Sequence, residues 1–564
     1  MTKCILIIIA ILVIAAGTAS AATVYVPSTY PTIQAAVDSV GTGDTVYVYN
    51  GTYIENVTVN KGILLQGEGK DVVTIDGNGR TALDIRSSNV DISGFTITNS
   101  QDGIAMTISR NCTVSGCDLH SNINGIHLLM SCNYNTISDC IMHSNSDYGI
   151  YFSKSCNHNT VSGCDAYSNT NGVDLSRSCN HNKINDCTMH LNSNCGISLR
   201  NACKCNTISG CDVYSNDGNG ILAFMSCDNN SIIGCNAYSN NDNGIMLQKM
   251  CSGNTIENCN ATSNLRNGII LFQASGGNVI RNCDAHSNLI DGIVLFQTSN
   301  GNMIHDCDAH SNSRAGIYVT HASNGNTVTG CDARDNKDGI HISHASNGNT
   351  VSGCDAKDNN NGVIISHVSN GNMVVDCNAT SNLQSGVSIT MNSKGNKITS
   401  CLIDSAGYGV VMSRASTGNV VSGTTIRNIG SRDFLLEYAS SGSAIETPFE
   451  TIGISLSSML SVRNYLDVKV MDGTTPVGGA DVRVTDNGHV VYASIGYGGS
   501  DPCTDSAGLC SGILVTDRVY NHLSIAAAEN TTLVSAKHGA WAETDRDVDM
   551  SESHTEEFFI QPAD

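Results

Sequence analysis

The sequence is poor in charged and aromatic side chains, and basic residues are especially few. Of its 564 residues, 14% are charged and 5% are aromatic, and acidic residues outnumber basic ones by 51 to 29, which gives a formal net charge of −22. Nucleic acid is not an expected partner, because phosphate binding needs a basic surface. An acidic exterior suits solvation, the binding of cations, or repulsion between neighbouring surface proteins.

Long apolar runs are also scarce, and the one that occurs lies at the start of the chain. Lys3 precedes an apolar core from Ile5 to Ala16, and Ala19-Ser20-Ala21 is a small-residue cleavage motif. This order predicts a secretory signal peptide over residues 1–21, cleaved after Ala21. An uncleaved anchor is the alternative, although the run is short for a membrane span. We therefore expect a secreted or cell-surface protein with no membrane span in the mature chain.

Cysteine, in contrast, is abundant and periodic. Thirteen of the 25 cysteines recur at steps of 23 or 24 residues, at Cys117, Cys140, Cys164, Cys187, Cys211, Cys235, Cys259, Cys283, Cys307, Cys331, Cys354, Cys377 and Cys401. From Cys140 onward an Asn lies five residues before each, at Asn135, Asn159, Asn182, Asn206, Asn230, Asn254, Asn278, Asn302, Asn326, Asn349, Asn372 and Asn396. A fixed period in the twenties with β-branched, Asn and Gly signals is typical of a solenoid of stacked β-coils.

The period also predicts which side chains face inward. In the coil around Cys331, Asp332 and Arg334 should alternate outward. The inward residues of that coil should be Val328, Cys331, Ala333, Ile340 and Ile342. About sixteen coils at a spacing of about 4.8 Å would make a rod on the order of 75 Å long. The Asn ladder should be structural, because stacked amides can hydrogen-bond their neighbours above and below.

Three short segments precede the repeats: Tyr30-Pro31-Thr32-Ile33-Gln34, Gly43-Asp44-Thr45-Val46 and Gly51-Thr52-Tyr53. Together they resemble the opening of secreted right-handed parallel β-helix proteins of the pectin-lyase-like class. That resemblance implies that the short helix expected over Pro31 to Val40 covers the open end of the solenoid. The repeats themselves, over about residues 24 to 430, resemble a β-helix repeat family that includes the periplasmic NosD-like proteins and many archaeal surface proteins.

The repeat ends near residue 430, and a different domain is expected after it. We predict a cap over residues 22–56, a parallel β-helix over 57–430, closing strands or a linker over 431–461, and a small β-sandwich over 462–564. The run from Pro476 to Val482 and the turn from Thr504 to Gly508 resemble the carboxypeptidase regulatory-like modules of secreted proteins. Cys503 and Cys510 are expected to form a disulfide in its loop. The fold class is therefore all-β.

The thirteen ladder cysteines share the inward phase of Ile and Val. We interpret them as buried thiols that act as small hydrophobic side chains. Disulfides between neighbouring coils are the alternative. A coil spacing of about 4.8 Å exceeds the roughly 3.8 Å between the Cβ atoms of a relaxed disulfide, so bridging would strain the coil.

A second set of cysteines lies eight residues before the ladder and is replaced by Ser from Ser275 onward. The Ser replacements indicate a turn, so we expect these thiols to be accessible and able to cross-link subunits or to bind a soft metal. They are Cys132, Cys156, Cys179, Cys203, Cys227 and Cys251, and with Cys195 and Cys205 they make the N-terminal half rich in cysteine. The absence of Cys-x-x-Cys motifs weakens the metal interpretation.

Outward positions supply a candidate binding surface. An acidic column lies one residue after the ladder cysteines, at Asp284, Asp308, Asp332 and Asp355. A basic column lies three residues after them, at His286, His310, Arg334 and Lys357. A further histidine column is expected nearby, at His321, His344 and His367. Like charges at coil spacing repel, so the acidic column needs basic neighbours or a bound cation. The alternatives are a calcium or saccharide groove over residues 284–367 and a solvated face with cross-strand ion pairs. We expect no other cofactor.

The resemblance to pectin-lyase-like proteins implies lyases, hydrolases and epimerases among the alternatives, so activity is left open. The Asn-Thr-Asp, Asp-Asp, Gly-His-Gly and Arg-Ile-Lys blocks that a polygalacturonase resemblance would require do not occur, and the constant spacing leaves no room for long catalytic loops. We therefore expect a non-catalytic cell-envelope protein of a surface layer, sheath or adhesive rod that self-assembles or contacts other envelope proteins. Polysaccharide binding or modification is the first alternative, and NosD-like copper handling is the second.

Asn-x-Ser/Thr triplets permit glycosylation of such a surface protein. They begin at Asn50, Asn56, Asn111, Asn229, Asn260, Asn378 and Asn530.

Overall fold

The computed structural model describes residues 21–522, 524–529 and 531–562, and it shows a parallel β-helix followed by a C-terminal pair of sheets. Each rung of the helix carries up to three short strands, which we assign in chain order to faces A, B and C. Each strand pairs in register with the equivalent strand of the next rung. The predicted all-β class and parallel β-helix are confirmed. The predicted signal peptide lies, apart from Ala21, outside the described residues.

Face A runs the whole length of the helix. Its strands are Thr23–Val26, Thr45–Val48, Leu64–Gly67, Asp91–Ser93, Thr113–Ser115, Thr136–Ser138, Thr160–Ser162, Lys183–Asn185, Thr207–Ser209, Ser231–Ile233, Thr255–Glu257, Val279–Arg281, Met303–His305, Thr327–Thr329, Thr350–Ser352, Met373–Val375, Lys397–Thr399, Asn419–Ser422, Ser441–Ile445 and the start of Met459–Asp472.

Face B follows the corner that carries the ladder cysteine. Its strands are Gly51–Ile54, Val73–Asp76, Thr96–Thr98, Asp118–His120, Ile141–His143, Asp165–Tyr167, Thr188–His190, Asp212–Tyr214, Asn236–Tyr238, Asn260–Thr262, Asn378–Thr380, Leu402–Asp404 and Thr425–Arg427. Between Thr262 and Asn378, pairing on this face reduces to single bridges at Asp284, Asp308, Asp332 and Asp355.

Face C has the longest strands, eighteen in all within the described residues. They are Val57–Val59, Leu83–Ile85, Asp102–Thr107, Asn124–Met130, Tyr148–Ser153, Asn171–Ser176, Ile197–Arg200, Ile221–Phe224, Ile245–Gln248, Ile269–Phe272, Ile293–Phe296, Ala315–Thr320, Asp338–Ser343, Asn361–Ile365, Ser385–Ile389, Tyr408–Met412, Arg432–Leu436 and Ile452–Ile454. The helix is therefore about two rungs longer than the sixteen expected, because rungs beyond residue 430 continue the stack.

The inward pattern predicted from the period is confirmed. Around Cys331, the five inward residues are each 1% exposed or less: Val328, Cys331, Ala333, Ile340 and Ile342. Asp332 and Arg334, which alternate with them, remain partly exposed. One continuous apolar core fills the interior from Val26 to Leu460. Its buried residues come from all three faces, so each rung contributes to the same core and depends on its neighbours.

The corners between faces depend on residues that tolerate a positive φ angle. In one rung, Asp139 (φ 53°) turns face A into face B, and Ser144 (φ 54°) turns face B into face C. The corner that returns to face A uses two successive residues, Lys154 and Ser155, with φ angles of 58° and 60°. Asn, Asp, Ser and Gly are frequent at such positions because their side chains are small or can hydrogen-bond locally, which accounts for the turn-rich composition.

A glycine at the start of most face C strands allows the rungs to approach. A Cβ atom on Gly292 would lie 2.6 Å from the carbonyl oxygen of Gly316 in the next rung and 2.8 Å from Nδ2 of Asn312. The periodic Gly-Ile and Gly-Val pairs therefore mark a point of close backbone contact, and a larger residue there would force the rungs apart.

The predicted N-terminal helix is present as Ile33–Ser39. The hydroxyl of Thr32 accepts a hydrogen bond from the backbone N–H of Ala35 at 3.2 Å and caps the helix. The helix buries Ile33, Ala36 and Val37 against the first rungs, so it covers the open end of the core. Among the described residues, no helix is long and apolar enough to cross a membrane.

The C-terminal part grows directly out of the last rung. Residues 459–463 of strand Met459–Asp472 pair in parallel with strand Ser441–Ile445 of face A, and the other edge of the strand pairs antiparallel with Leu509–Asn521 from Met459 onward. The remaining elements are the strands Thr475–Pro476, Asp481–Asp486, His489–Ala493, Ser524–Glu529, Thr532–His538, Trp541–Val548, His554–Phe559 and Gln561–Pro562 and the short 3₁₀ helix Ile495–Tyr497. They form two sheets around one apolar core. The boundary expected at residue 462 falls inside the shared strand.

The predicted Asn ladder is confirmed as a structural device at the corner between faces C and A. Oδ1 of Asn206 accepts the backbone N–H of Asn182 at 2.8 Å, while its Nδ2 donates to the carbonyl of Cys179 and to Oδ1 of Asn230, both at 3.0 Å. Each buried amide therefore satisfies the backbone of the rung before it.

A second Asn ladder, which the sequence analysis missed, occupies the corner between faces B and C. Each member lies five residues after a ladder cysteine, so the signal was present in the period. All are buried: Asn122, Asn145, Asn169, Asn192, Asn216, Asn240, Asn264, Asn288, Asn312, Asn336, Asn359 and Asn382. Asn240 repeats the pattern, because its N–H donates to Asn264 Oδ1 at 3.1 Å and its Nδ2 to the carbonyl of Val213 at 3.0 Å.

Replacement of one ladder amide should open the helix locally. Asn206→Ala leaves the N–H of Asn182 and the carbonyl of Cys179 buried without their partner, at a cost of about 1–3 kcal/mol for each group. Hydrogen exchange followed by mass spectrometry should show faster exchange in the rungs around residues 179–206. Asn241→Ala, which removes an exposed amide bonded to Asp217, is the matched control and should leave exchange unchanged. Equal protection in both variants would contradict a structural role for the ladder.

Candidate functional site

The thirteen ladder cysteines lie at the corner between faces A and B, and all are at most 4% exposed. Their thiols are free and bond to the backbone: Sγ of Cys259, for example, donates to the carbonyl of Glu257 at 3.3 Å and of Ile232 at 3.5 Å. The interpretation of these residues as buried thiols is confirmed. Because their sulfur atoms are enclosed by the core, they offer nothing to solvent.

The second cysteine set was expected to be accessible, and this prediction is wrong. All six side chains are fully buried: Cys132, Cys156, Cys179, Cys203, Cys227 and Cys251. Sγ of Cys203 accepts the N–H of Cys179 at 3.4 Å and donates to the carbonyl of Arg200 at 3.2 Å. The serines that follow make the same two bonds, since Oγ of Ser323 accepts the N–H of Ser299 and donates to the carbonyl of Thr320. Ser replaces Cys because both satisfy the same buried backbone groups.

Two other cysteines of the Cys-rich half differ in exposure. Cys195 is buried, and burial raises the pKa of its thiol to about 11, which makes the reactive thiolate scarce at neutral pH. Cys205 is exposed. The thiol with access to solvent in this half is therefore Cys205 rather than the periodic set.

The expected disulfide in the C-terminal part is not formed. Cys503 and Cys510 are both free, and Cys503 donates to Oδ1 of Asp481 at 3.3 Å while Cys510 is buried. The carboxylate of Asp481 raises the pKa of the Cys503 thiol. The two thiols have different hydrogen-bond partners, Asp481 for Cys503 and the carbonyl of Pro502 for Cys510.

The predicted acidic and basic columns do share face B, and most of their charges are paired. Asp308 contacts Arg334 at 2.7 Å, and Asp332 contacts Lys357 at 3.2 Å. Asp355 instead accepts from the side-chain amide of Asn378 at 2.7 Å. Asp284 differs, since its nearest charged or ionisable partners are His286 and His310, each at 3.8 Å.

The third predicted column does not belong to this surface. His321, His344 and His367 follow the strands of face C, at the corner that turns into face A. That corner is opposite face B in a three-sided rung, so the single groove expected over residues 284–367 is wrong. The three rings stack on one another with centroids 4.6 and 4.3 Å apart, and burial lowers the pKa of His344 and His367.

Face B carries a row of stacked rings that the sequence analysis did not identify. Six rings in successive rungs lie 4.9–5.0 Å apart, at His120, His143, Tyr167, His190, Tyr214 and Tyr238. Each ring face is covered by its neighbours, so the row presents ring edges. Its outer surface is polar rather than a flat apolar platform for a sugar ring.

A polar cluster on the outer side of face C was also missed. Asp174 is fully buried and pairs with Nε of Arg200 at 2.8 Å, and Arg200 donates to the hydroxyl of Tyr148 at 3.0 Å. Burial raises the pKa of Asp174, while Arg200 opposes the shift. Tyr151 stacks between the rings of His127, at 4.8 Å, and Tyr148, at 4.4 Å. The cluster combines a carboxylate, a guanidinium, an imidazole and two phenols over neighbouring rungs.

Thiol labelling should separate exposed from buried cysteines in the native protein. Among the described cysteines, iodoacetamide should modify Cys205 first and Cys503 more slowly, because Asp481 raises the pKa of the Cys503 thiol. The thirteen ladder cysteines and the six cysteines of the second set should react only after unfolding. Peptide mapping by mass spectrometry gives the order, and Cys205→Ser should remove the fast phase. Native modification of the six cysteines of the second set at the rate of Cys205 would contradict their burial.

Comparison with known proteins agrees with the architecture. Residues 178–333 and 300–447 match the family described as "Right handed beta helix region", and residues 37–210 match the family described as "Periplasmic copper-binding protein (NosD)". A protein named "Cell surface glycoprotein" from Methanothermus fervidus is 31% identical over 102 residues, which is 18% of this chain and 17% of that protein. The chain thus matches less than a fifth of that relative.

Similar solved structures include proteins named as a lyase, an epimerase and a glucanase. Pectate lyase Pel9A is 18% identical, with a TM-score of 0.35 over 45% of this chain and 73% of that chain. The A-module of the Azotobacter vinelandii mannuronan C-5 epimerase AlgE4 is 15% identical, with a TM-score of 0.28 over 76% of this chain and 94% of that chain. The catalytic domain of a GH87 alpha-1,3-glucanase is 13% identical, with a TM-score of 0.41 over 58% of this chain and 66% of that chain.

Residues 37–210, which match the copper-binding family, contain no cluster of three potential metal ligands. No three His, Cys, Asp or Glu ligand atoms in this fully described segment lie within 4.8 Å of one another. Thiols of successive rungs are about 4.8 Å apart, so three of them cannot converge on one ion. His127 has both ring nitrogens engaged, with Asp102 and Ser153.

The in-register rungs, the buried ladders and the capping helix agree with the family matches over residues 37–447. Together they identify the chain as a right-handed parallel β-helix protein.

Proposed function

We propose that this chain is a non-catalytic structural protein of a cell envelope, which contributes a rigid rod to a surface layer, sheath or adhesive filament. The observation that carries this proposal is the uninterrupted rung geometry. From Cys117 to Cys401 the step is always 23 or 24 residues, so no rung in this range has room for an inserted loop. Substrate grooves need walls, and a rod without insertions has three nearly flat sides.

The ladders favour a mechanical role. Two Asn columns, the thiol column and the Cys/Ser column satisfy buried polar groups from one rung to the next. Since each rung is held by hydrogen bonds to both neighbours, bending the rod would break several of them at once. The formal charge of −22 lies on a surface that stays solvated and resists non-specific association.

Location at the cell surface is supported by the apolar start of the chain and by the cell surface glycoprotein relative. Six of the predicted glycosylation acceptors lie at exposed positions: Asn50, Asn56, Asn111, Asn229, Asn260 and Asn378. Sugars at these positions would project from the rod without entering its core. Assembly with further copies or with other envelope proteins belongs to the same proposal.

Electron microscopy should test the structural proposal. The purified protein should appear as rods, because eighteen rungs at about 4.8 Å extend on the order of 85 Å. Immunogold labelling of intact producing cells should place the chain outside the cell, and protease added to intact cells should remove the signal. Compact particles, or labelling restricted to permeabilised cells, would contradict the proposal.

The polar cluster on face C favours a second candidate function, the binding or modification of an acidic polysaccharide. Arg200 can pair with a uronate carboxylate, and His127 and Tyr151 are groups suited to proton transfer. Asp174 holds the guanidinium in place from below. This arrangement lies on the outer side of face C, where a linear chain could run along the rungs.

A panel of uronate polymers separates the two candidates. Under the structural proposal, the native protein should produce no unsaturated products, shortened chains or epimerised residues. Ultraviolet absorption, chain-length analysis and proton NMR report these three outcomes. Turnover that is lost in His127→Gln and retained in Asp332→Asn, a matched change on face B, would establish the second function and overturn the first.

A further inference from the structure

We propose that Asp284, His286 and His310 bind one divalent transition-metal ion of the zinc and copper class on face B. Within the described residues these three form the one group of His, Cys, Asp and Glu whose ligand atoms all lie within 4.8 Å of one another. The site lies outside the segment that matches the copper-binding family, and it is independent of the structural role proposed above.

The geometry brings two imidazoles and one carboxylate to a common point. Nε2 of His286 lies 3.8 Å from Oδ2 of Asp284, and Nε2 of His310 lies 3.8 Å from Oδ1 of the same carboxylate. The two rings come from adjacent rungs and stack with centroids 4.6 Å apart and planes 8° apart. Their Nε2 atoms are therefore adjacent and beside the carboxylate, and small side-chain rotations bring all three atoms to the about 2.0–2.2 Å bond lengths of zinc.

The ring orientations are fixed by a second layer of contacts. Nδ1 of His286 lies 3.0 Å from Oγ of Ser287, and Nδ1 of His310 lies 3.1 Å from Oγ of Ser311. When each Nδ1–H donates to its serine, each Nε2 carries the lone pair that a metal needs. Histidine ligands in metal sites commonly have such a partner on the opposite nitrogen.

The charge partners of the acidic column distinguish Asp284 from the other three carboxylates. The carboxylates of the rungs above it are paired with Arg334, Lys357 or the amide of Asn378. In the rung below, the amide of Asn260 donates away from Asp284, to Oδ1 of Asn236. Oδ1 of Asp284 is buried from solvent as an atom and has no hydrogen-bond donor; the same is true of Oδ1 of Asp332, but the other oxygen of Asp332 pairs with Lys357. An unpaired buried acceptor is costly, and a bound cation would relieve that cost.

The ligand set selects the class of ion. Two imidazoles with one carboxylate suit Zn²⁺, Cu²⁺ or Ni²⁺, whereas Ca²⁺ takes six to eight oxygen ligands. The side chains are 23–38% exposed, so an ion can reach the site from solvent. Three protein ligands leave a fourth position for water or for a group from another molecule.

Isothermal titration of the full chain with Zn²⁺, Cu²⁺ and Ca²⁺ tests the site. A Cys205→Ser background removes the exposed thiol that would compete for soft ions. We expect one Zn²⁺ or Cu²⁺ per chain and no Ca²⁺ at this site. His310→Gln and Asp284→Asn should each weaken affinity by at least tenfold. Ser311→Ala, which leaves all three ligands in place, should weaken it by about 10–100-fold, the usual loss for a second-layer partner.

His344→Gln is the matched control, because His344 also stacks between histidines but has no ion-paired carboxylate among its described contacts. It should bind metal like the parent, and circular dichroism should show the same fold in all variants. Electron paramagnetic resonance of the Cu²⁺ form should report two nitrogen ligands. Absence of binding, affinity unchanged in His310→Gln and Ser311→Ala, or equal loss in His344→Gln would each overturn the proposal.

Discussion

The β-helix depends on in-register stacking of equivalent side chains from one rung to the next. Parallel strands about 4.8 Å apart place the same kind of residue above and below itself. A buried polar group must then find its partner in an adjacent rung, since an unmade hydrogen bond in the core costs about 1–3 kcal/mol. The two Asn ladders meet this requirement, because each amide accepts the N–H of one rung and donates to a carbonyl or amide.

The same constraint explains the unusual number of cysteines. At the corner between faces C and A, the thiol of Cys203 and the hydroxyl of Ser323 accept an N–H from one rung and donate to a carbonyl three residues earlier. At the corner between faces A and B, the thiols also fill volume beside Ile and Val. The two columns share a residue type, yet one mainly satisfies a turn and the other mainly packs the core. Neither position requires redox chemistry.

The sequence was sufficient for the architecture because its period is a direct record of stacking. The 23- to 24-residue step located the ladder cysteines and the inward residues around Cys331, whereas the helix that covers the first rung was predicted from the segments that precede the repeats. The step also contained the second Asn ladder at a fixed offset from each cysteine, although that offset was overlooked. A period gives the column to which a residue belongs, and columns determine the core.

The face of the rod on which a residue lies was harder to predict than the column to which it belongs. His321 lies eleven residues after His310, which is about half a rung, so the two face opposite sides although both belong to histidine columns. The change from Cys251 to Ser275 in the next rung suggested that this column of side chains is exposed. The change alone does not show that both side chains hydrogen-bond to buried backbone groups. The cluster of His127, Tyr151 and Asp174 gave no signal, since residues of different types follow one another at the rung step. Periodicity detects repetition, and these positions differ from rung to rung.

That difference is where chemistry can arise on a rod without loops. Stacking fixes where each side chain lies, but the side chain of the next rung decides its partner. On face B, Asp212 and Asp355 each receive an amide from the next rung, through Asn236 and Asn378, and Asp308 receives a guanidinium. Asp284 faces the imidazole of His310 from the next rung, and an imidazole is a side chain that can bind a metal ion. A single change of residue type therefore alters the partners of two rungs, so a β-helix can acquire a binding site without altering its fold.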